Sequence, residues 1–251
     1  MTADALPRIH ILSLADCTER RVHMAEQFAH HAPGIAYEFF DAQRISRRED
    51  YPADYDVRAR QRLFGDDLRP GEVGCFMSHR ALWQACAASP DAAWCILEDD
   101  IVLTPDFVPA LRALMAHRQD WDIVRLMTLL PRRGGWCQQA LDASYALHAH
   151  DRPPSGLQGY LIQPHSAAAL AKLAASIVWP IDETVDLYWQ HKQRLYTLMP
   201  AAIDLAPAFN STIGQRSSSR RPRWRKWQRE LINGWQGLSR KLFNLRHYGR
   251  C

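Results

Sequence analysis

Three observations predict an α/β fold. A strand, a helix and a second strand follow one another within the first forty or so residues. An apolar run of strand length, Ala93-Trp94-Cys95-Ile96-Leu97, ends abruptly in Glu98, Asp99 and Asp100. Helical and strand-like segments then alternate to about residue 205. With 251 residues and 47% hydrophobic content, the chain can bury one substantial core.

Arg8 to Leu14 reads as the first strand, with Ile9, Ile11 and the leucines giving β-type composition. Thr18-Glu19-Arg20-Arg21 opens a helix that runs through Met24 and Phe28 towards His31, where Pro33-Gly34 stops it. Ala36 to Phe40 is a second strand, ending at Asp41-Ala42. Residues 44–69 are polar without a clean period and read as short helices and a loop over the rim of a site. Pro70 and Glu72 start a helix that continues to Ala88, and Ser89-Pro90 ends it. Beyond the carboxylates come a helix from Asp106 to Met115 and a strand from Trp121 to Leu126. Residues 131–155 read as a hairpin among glycines and prolines, followed by a strand over Gln158 to Ile162 and a helix over Pro164 to Ala175. Trp179-Pro180 breaks the chain before a further helix from Glu183 to Gln193. Leu195 to Met199 and Ala201 to Leu205 read as late strands.

The net charge of +4 hides two regions. Residues 216–250 hold eleven Arg and Lys and one acid, Glu230, so the first 215 residues carry 20 basic and 26 acidic groups, a net of −6. This divides the chain into a main domain, 1–215, and a basic extension, 216–251. In the extension Trp224, Trp227, Leu231, Trp235, Leu238 and Leu242 are spaced 3, 4, 4, 3 and 4 apart, one stripe of an amphipathic helix. Such a helix could lie on an anionic membrane, pack on the main domain or a second copy, or bind nucleic acid. No nucleic-acid-binding motif accompanies it, which argues against the last. None of the six cysteines forms a C-x-x-C pair, so free thiols are expected rather than a zinc knuckle or a disulfide framework. No basic leader and no apolar window of membrane-spanning length is present, so a cytoplasmic protein, or one peripheral at the inner face of the cytoplasmic membrane, is expected.

Carboxylates at the carboxyl end of a buried strand sit where open α/β sheets build ligand crevices. If the extended geometry persists, alternation along the strand puts Glu98 and Asp100 on one side and Asp99 on the other. Two carboxylates converging in a crevice call for a compensating cation, and oxygen ligands suit Mg²⁺ or Mn²⁺. The plainer reading is a solvated loop that caps the next helix.

Further segments decide between these readings. Ile11-Leu12-Ser13-Leu14 with Glu19-Arg20-Arg21, Phe39 to Ala42, Gly71-Glu72-Val73-Gly74-Cys75-Phe76-Met77-Ser78-His79 with Trp83, Leu97-Glu98-Asp99-Asp100, Gly159 to Ile162, and Pro180-Ile181-Asp182-Glu183 occur in the order found in glycosyltransferase family 25, which the chain resembles over roughly residues 9–185. Leu12-Ser13 stands where that family often has Asn, and Asp16-Cys17 where it often has an Asp-Arg pair. The resemblance implies a GT-A-like fold with a central mixed, mostly parallel sheet flanked by helices, so that 1–215 becomes a catalytic domain. It implies inverting transfer of a sugar, commonly galactose from UDP-galactose, onto a lipooligosaccharide or other lipid-linked or free glycan, with Mn²⁺ or Mg²⁺. Related donors are UDP-glucose and UDP-N-acetylhexosamine; a non-catalytic glycan-binding protein is the alternative from another class. By the same resemblance Asp100, with Glu98, matches the metal-binding acids. Leu12, Ser13, Leu14, Arg20, Arg21, Asp41, Ser78, His79, Glu98 and Asp99 fall on the nucleotide-sugar side.

Inverting transfer needs a base near the acceptor hydroxyl. Asp182, after the Trp179-Pro180 break, is the first candidate and Asp186 the reserve; Asp182 could equally be a helix N-cap. Glu72 could be an ordinary first-turn acid. Trp83 and Trp94 read as core, whereas Trp136 and Trp179 could stack on a sugar. His148 and His150 could share a face, with no third ligand evident.

Overall fold

The computed structural model describes residues 6–128, 135–154, 156–207, 209 and 223–249, with side chains from 234 onward in the last segment. In chain order the elements are β1 (Arg8–Ser13), α1 (Thr18–His31), β2 (Glu38–Asp41), α2 (Val57–Leu63), α3 (Pro70–Ala87), β3 (Trp94–Glu98), β4 (Ile101–Leu103), α4 (Phe107–Ala116), β5 (Ile123–Arg125), β6 (Gly135–Ala140), β7 (Ala146–His150), β8 (Gly159–Ile162), α5 (Pro164–Leu173), α6 (Ile181–Asp186), α7 (Tyr188–His191), β9 (Leu195–Met199), β10 (Ile203–Leu205) and α8 (Arg223–Tyr248).

The main sheet has the order β2-β1-β3-β8-β5-β9-β7-β6. β2, β1 and β3 run parallel, with α1 as the crossover between β1 and β2, and β5 pairs parallel with β9. β8 runs against both β3 and β5, and β7 runs against β6 and β9. The α/β, GT-A-like expectation stands, but the sheet is mixed with more antiparallel than parallel pairings, which corrects "mostly parallel". The reason lies in β8: Gly159–Ile162 is buried along its whole length, and a strand buried on both faces has the same composition whichever way it runs. The chain also resumes strand structure directly after Asp100, as β4, which pairs antiparallel with β10 in a separate ribbon. That strand is absent from the sequence reading.

The register fixes where the site falls. Leu12 stands opposite Glu98 and Ser13 opposite Asp41, so the carboxyl ends of β1, β2 and β3 share one edge of the sheet. The antiparallel β8 starts at that edge, where Glu98 N–H donates to the Gln158 carbonyl at 2.7 Å. Below the edge lies the hydrophobic core. Ile9, Ile11, Ile96 and Leu97 from the strands meet Met24, Phe28, Val73, Phe76 and Trp83 from the helices. Trp83 and Trp94 are buried as expected. The described cysteines form no disulfide.

The boundary near 215 lies outside the described residues, as do the side chains of Trp224, Trp227 and Leu231. The rest of α8 corrects one reading of the tail. It is anchored through Phe243, Asn244 and Tyr248, all buried. Asn244 Oδ1 accepts from the Tyr188 hydroxyl at 2.8 Å, the Tyr248 hydroxyl accepts from the Leu195 N–H at 3.0 Å, and Arg240 pairs with Asp151. The expected stripe faces away: Trp235, Leu238 and Leu242 are 72%, 53% and 59% exposed, and Leu245 extends the same face. Asn244 and Tyr248 anchor better than their polarity suggests because their polar atoms are fully partnered inside.

Candidate active site

At the shared strand edge lies a cleft of about 950 Å³, at the upper end of ordinary small-molecule sites. It is lined by Leu12, Ser13, Leu14 and Arg20, by Glu98, Asp99 and Asp100, and by Asp182. Ser78 also borders the cleft, although its side chain is buried and internally bonded.

The three acids have different partners. The chain bends after Glu98, and Asp99 turns to Arg20 on α1, whose Nη1 is 2.7 Å from Asp99 and 3.8 Å from Asp100. The Arg20 and Asp99 side chains are only 14% and 10% exposed, so removing either leaves a nearly buried charge, a change that costs about 3–5 kcal/mol. Asp100 is under-compensated. Burial first, then the neighbouring Glu98 charge, push its carboxyl up to about 6, against the opposing pull of Arg20. A shift of that size corresponds to roughly 3 kcal/mol of added cost for ionisation. Among the described residues its buried Oδ1 has no hydrogen-bond partner. An oxygen donor that is buried, unpartnered and repelled by a second carboxylate fits a divalent cation.

The remaining predicted residues divide between cleft and support. Arg21 donates to the Ser13 carbonyl and pairs with Asp41, tying α1 to β1 and β2; neither Arg21 nor Asp41 lines the cleft. His79 is fully buried, is not among the lining residues and lies 3.4 Å from Glu98. Asp182 is the second residue of α6, not its N-cap, and its Oδ1 accepts the Glu183 N–H at 2.9 Å. Asp186 does not line the cleft. It pairs with the buried Arg125, and burial, opposed by that arginine, pushes its carboxyl up to about 7. Of the two base candidates, only Asp182 faces the cleft. Glu72 accepts the Arg69 N–H at 2.8 Å, a helix-start role. Trp179 packs edge-on to Phe64 and Trp136 lies near Tyr248, neither in the cleft. His148 and His150 share a face of β7 away from it, and burial pushes His150 down to about 4.

Two lining segments were missed in the sequence: Gly156 to Gln158, at the start of β8, and Leu205 to Pro207 with Phe209. Residues 42–46 also line the cleft, and overlap the start of the 44–69 stretch read as a rim loop. The loop is held by α3: Gln43 N–H donates to Ser78 Oγ at 2.8 Å, which itself donates to the Gly74 carbonyl at 2.7 Å. A Cβ on Gly74 would meet the Gln43 carbonyl oxygen at 2.5 Å. A glycine in mid-helix, which costs about 1 kcal/mol relative to alanine, was the available signal for this close backbone approach.

The fold and cleft define an α/β protein with a small-molecule site at a carboxyl strand edge. Glycosyltransferase family 25 (LPS biosynthesis protein) matches residues 6–185, and the chain belongs to that family. It is 37% identical over 128 residues to the lacto-N-neotetraose biosynthesis glycosyltransferase LgtB of Neisseria meningitidis serogroup B, covering 48% of this chain and 44% of the relative. It is 33% identical over 94 residues to the lipooligosaccharide biosynthesis protein lic2B of Haemophilus influenzae, covering 38% and 34%. A shorter match, 36% over 66 residues, is to the inactive glycosyltransferase 25 family member 3 of Homo sapiens, covering 25% of this chain and 11% of that protein. The chain spans less than half the length of each of these relatives in the matched regions.

Gly74→Ala should raise the KM for the small-molecule ligand of the cleft, by about tenfold or more, because the 42–46 loop must shift. Thermal unfolding should change little, since the helix gains propensity while the loop contact is lost. Unchanged binding by the alanine variant would contradict this role for the loop.

Proposed function

We propose that the chain is an inverting glycosyltransferase that moves a sugar, galactose from UDP-galactose, in β linkage onto a lipooligosaccharide or other glycan acceptor. The observation that carries the reading is Asp100, with a buried oxygen lacking a partner among the described residues and a raised carboxyl pKa, beside Arg20 in a cleft large enough for a nucleotide sugar. The names of the LgtB and lic2B relatives support transfer onto glycans of this kind. One relative is named inactive, so the activity is argued from the residues rather than from membership alone.

Asp100, with Glu98 beside it, would hold Mn²⁺ or Mg²⁺, whose charge would offset that of the leaving diphosphate. Leu12 to Leu14 and Arg20 line the donor side of the cleft, and Asp99 keeps Arg20 in place. Asp182, which also lines the cleft, takes the proton of the acceptor hydroxyl as the hydroxyl oxygen bonds to the anomeric carbon. The bond from that carbon to the diphosphate breaks in the same displacement, and the electron pair leaves with the diphosphate. Asp186, tied to Arg125, stabilises the segment that carries Asp182.

A screen of UDP-galactose, UDP-glucose and UDP-N-acetylhexosamines with each metal, read by UDP release, tests this. UDP-galactose with Mn²⁺ or Mg²⁺ should be turned over, Asp100→Ala should lose about 100-fold or more, and Asp182→Asn a similar amount with donor binding retained. Turnover of another UDP-sugar alone would move the reading to that donor. Donor or glycan binding with no turnover would make the chain a glycan-binding protein instead.

The exposed face of α8 favours a further reading. Trp235, Leu238, Leu242 and Leu245 form an apolar strip away from the domain, in a segment with eleven basic residues and one acid. Charge complementarity points to an anionic lipid surface, which would bring the cleft to a lipid-linked acceptor at the inner face of the membrane. Among the described residues no helix is long and apolar enough to cross a membrane. Trp235→Ser/Leu242→Ser should lose most binding to vesicles containing phosphatidylglycerol while turnover of a soluble acceptor stays the same. Unchanged vesicle binding, or a dimer dissociated by the same changes, would contradict a lipid partner.

A further inference from the structure

Behind Glu98 the cleft is backed by a chain of polar contacts through the core. Trp83 and His79 lie one turn apart on α3, and Tyr160 faces them from β8; all three are fully buried. Trp83 Nε1 donates to the Tyr160 hydroxyl at 2.8 Å, that hydroxyl is 3.0 Å from His79 Nδ1, and His79 Nε2 is 3.4 Å from Glu98 Oε1.

Counting protons gives these contacts a direction. An indole nitrogen only donates, so the Tyr160 oxygen is the acceptor from Trp83. The phenol has one hydrogen of its own, and a buried O–H needs an acceptor. Among the described residues that acceptor is His79 Nδ1. Nδ1 therefore carries no hydrogen, and the imidazole proton sits on Nε2, facing Glu98. The opposite tautomer would aim two donors at the Tyr160 oxygen and strand its hydrogen in the core.

The same count bears on a metal reading. Cys75 Sγ, His79 Nε2 and Glu98 Oε1 lie within 4.8 Å of one another, a grouping that zinc could use. A metal on Nε2 would move the imidazole proton to Nδ1, the arrangement that Tyr160 disfavours. The Cys75 thiol, 3.9 Å from the same Glu98 oxygen, instead acts as a second weak donor.

We propose that His79 is a positioning residue: the Trp83–Tyr160 pair fixes its proton on Nε2, and that N–H holds Oε1 of Glu98, leaving the other carboxylate oxygen to the cleft. The task given to Glu98 rests on the glycosyltransferase reading; the tautomer of His79 does not.

Two measurements test the inference on the full chain. Long-range ¹⁵N–¹H correlation spectra, recorded without metal or donor, should show His79 as a single Nε2–H tautomer. Tyr160→Phe should release it into a mixture. An Nδ1–H tautomer, or one unchanged by Tyr160→Phe, overturns the proposal, as does a shift of the His79 signals to a metal-bound position on adding stoichiometric Zn²⁺. In kinetics, His79→Gln keeps an N–H at the ε position and should stay within about threefold of wild-type kcat/KM. The shorter His79→Asn should lose about 10- to 100-fold at a matching melting temperature, the range seen when a supporting partner of a ligand is lost. Equal losses in both variants contradict positioning through Nε2. A wild-type protein without turnover refutes the glycosyltransferase reading and leaves the spectra to decide the tautomer.

Discussion

The structure around the cleft depends on one electrostatic constraint, three carboxylates in sequence at the end of a buried strand with, among the described residues, a single close arginine. Arg20 satisfies Asp99 and reaches Asp100 at 3.8 Å, but it cannot neutralise the whole group. The residual imbalance falls on Asp100, whose carboxyl is pushed up to about 6 and whose Oδ1 has no partner among the described residues. A solvated loop would relax such an imbalance by turning the side chains outward. Here the bend after Glu98 is held on one side by β3 and on the other by β4, so the acids stay where they are.

Two helices impose this arrangement. α1 brings Arg20 to the strand end because it crosses between the parallel strands β1 and β2, and Arg21 ties the same turn to both of them. α3 serves the opposite wall. Glu72 satisfies the helix start, Gly74 and Ser78 receive the rim loop, Cys75 and His79 approach Glu98, and Trp83 anchors the helix in the core. The spacing of the Gly71 to Trp83 block is thus the helical period applied to two adjacent faces, one towards the loop and one towards Glu98.

Much of this was legible in the sequence for physical reasons. The apolar run into Glu98 marked a buried strand end, and Pro70 with Glu72 marked a helix start, since both are local features. Strand direction was not legible: nothing in Gly159–Ile162 distinguishes a parallel from an antiparallel neighbour. Nor was β4, because the acids before it suggest an exposed loop. The tail showed the converse error. Periodicity found the apolar strip of α8, but the helix docks through Asn244 and Tyr248, whose polar atoms are satisfied by the tertiary partners Tyr188, Asp151 and Leu195. For the site, residue type together with the family resemblance pointed to Asp100 and Asp182, and both line the cleft. Residue type could not separate Arg20, which lines the cleft, from Arg21, which braces the sheet, because that depends on which turn of α1 faces the strand ends.

On the reading proposed above, the strand end at Asp100 is a cation and diphosphate site. A crystal structure of the protein with UDP and Mn²⁺, with data collected at the manganese edge, puts this to the test. An anomalous peak is expected within coordination distance of the Asp100 carboxylate, with the UDP diphosphate beside it and the nucleoside against Leu12 to Leu14. Manganese and UDP bound elsewhere, with Asp100 free of both, would contradict it.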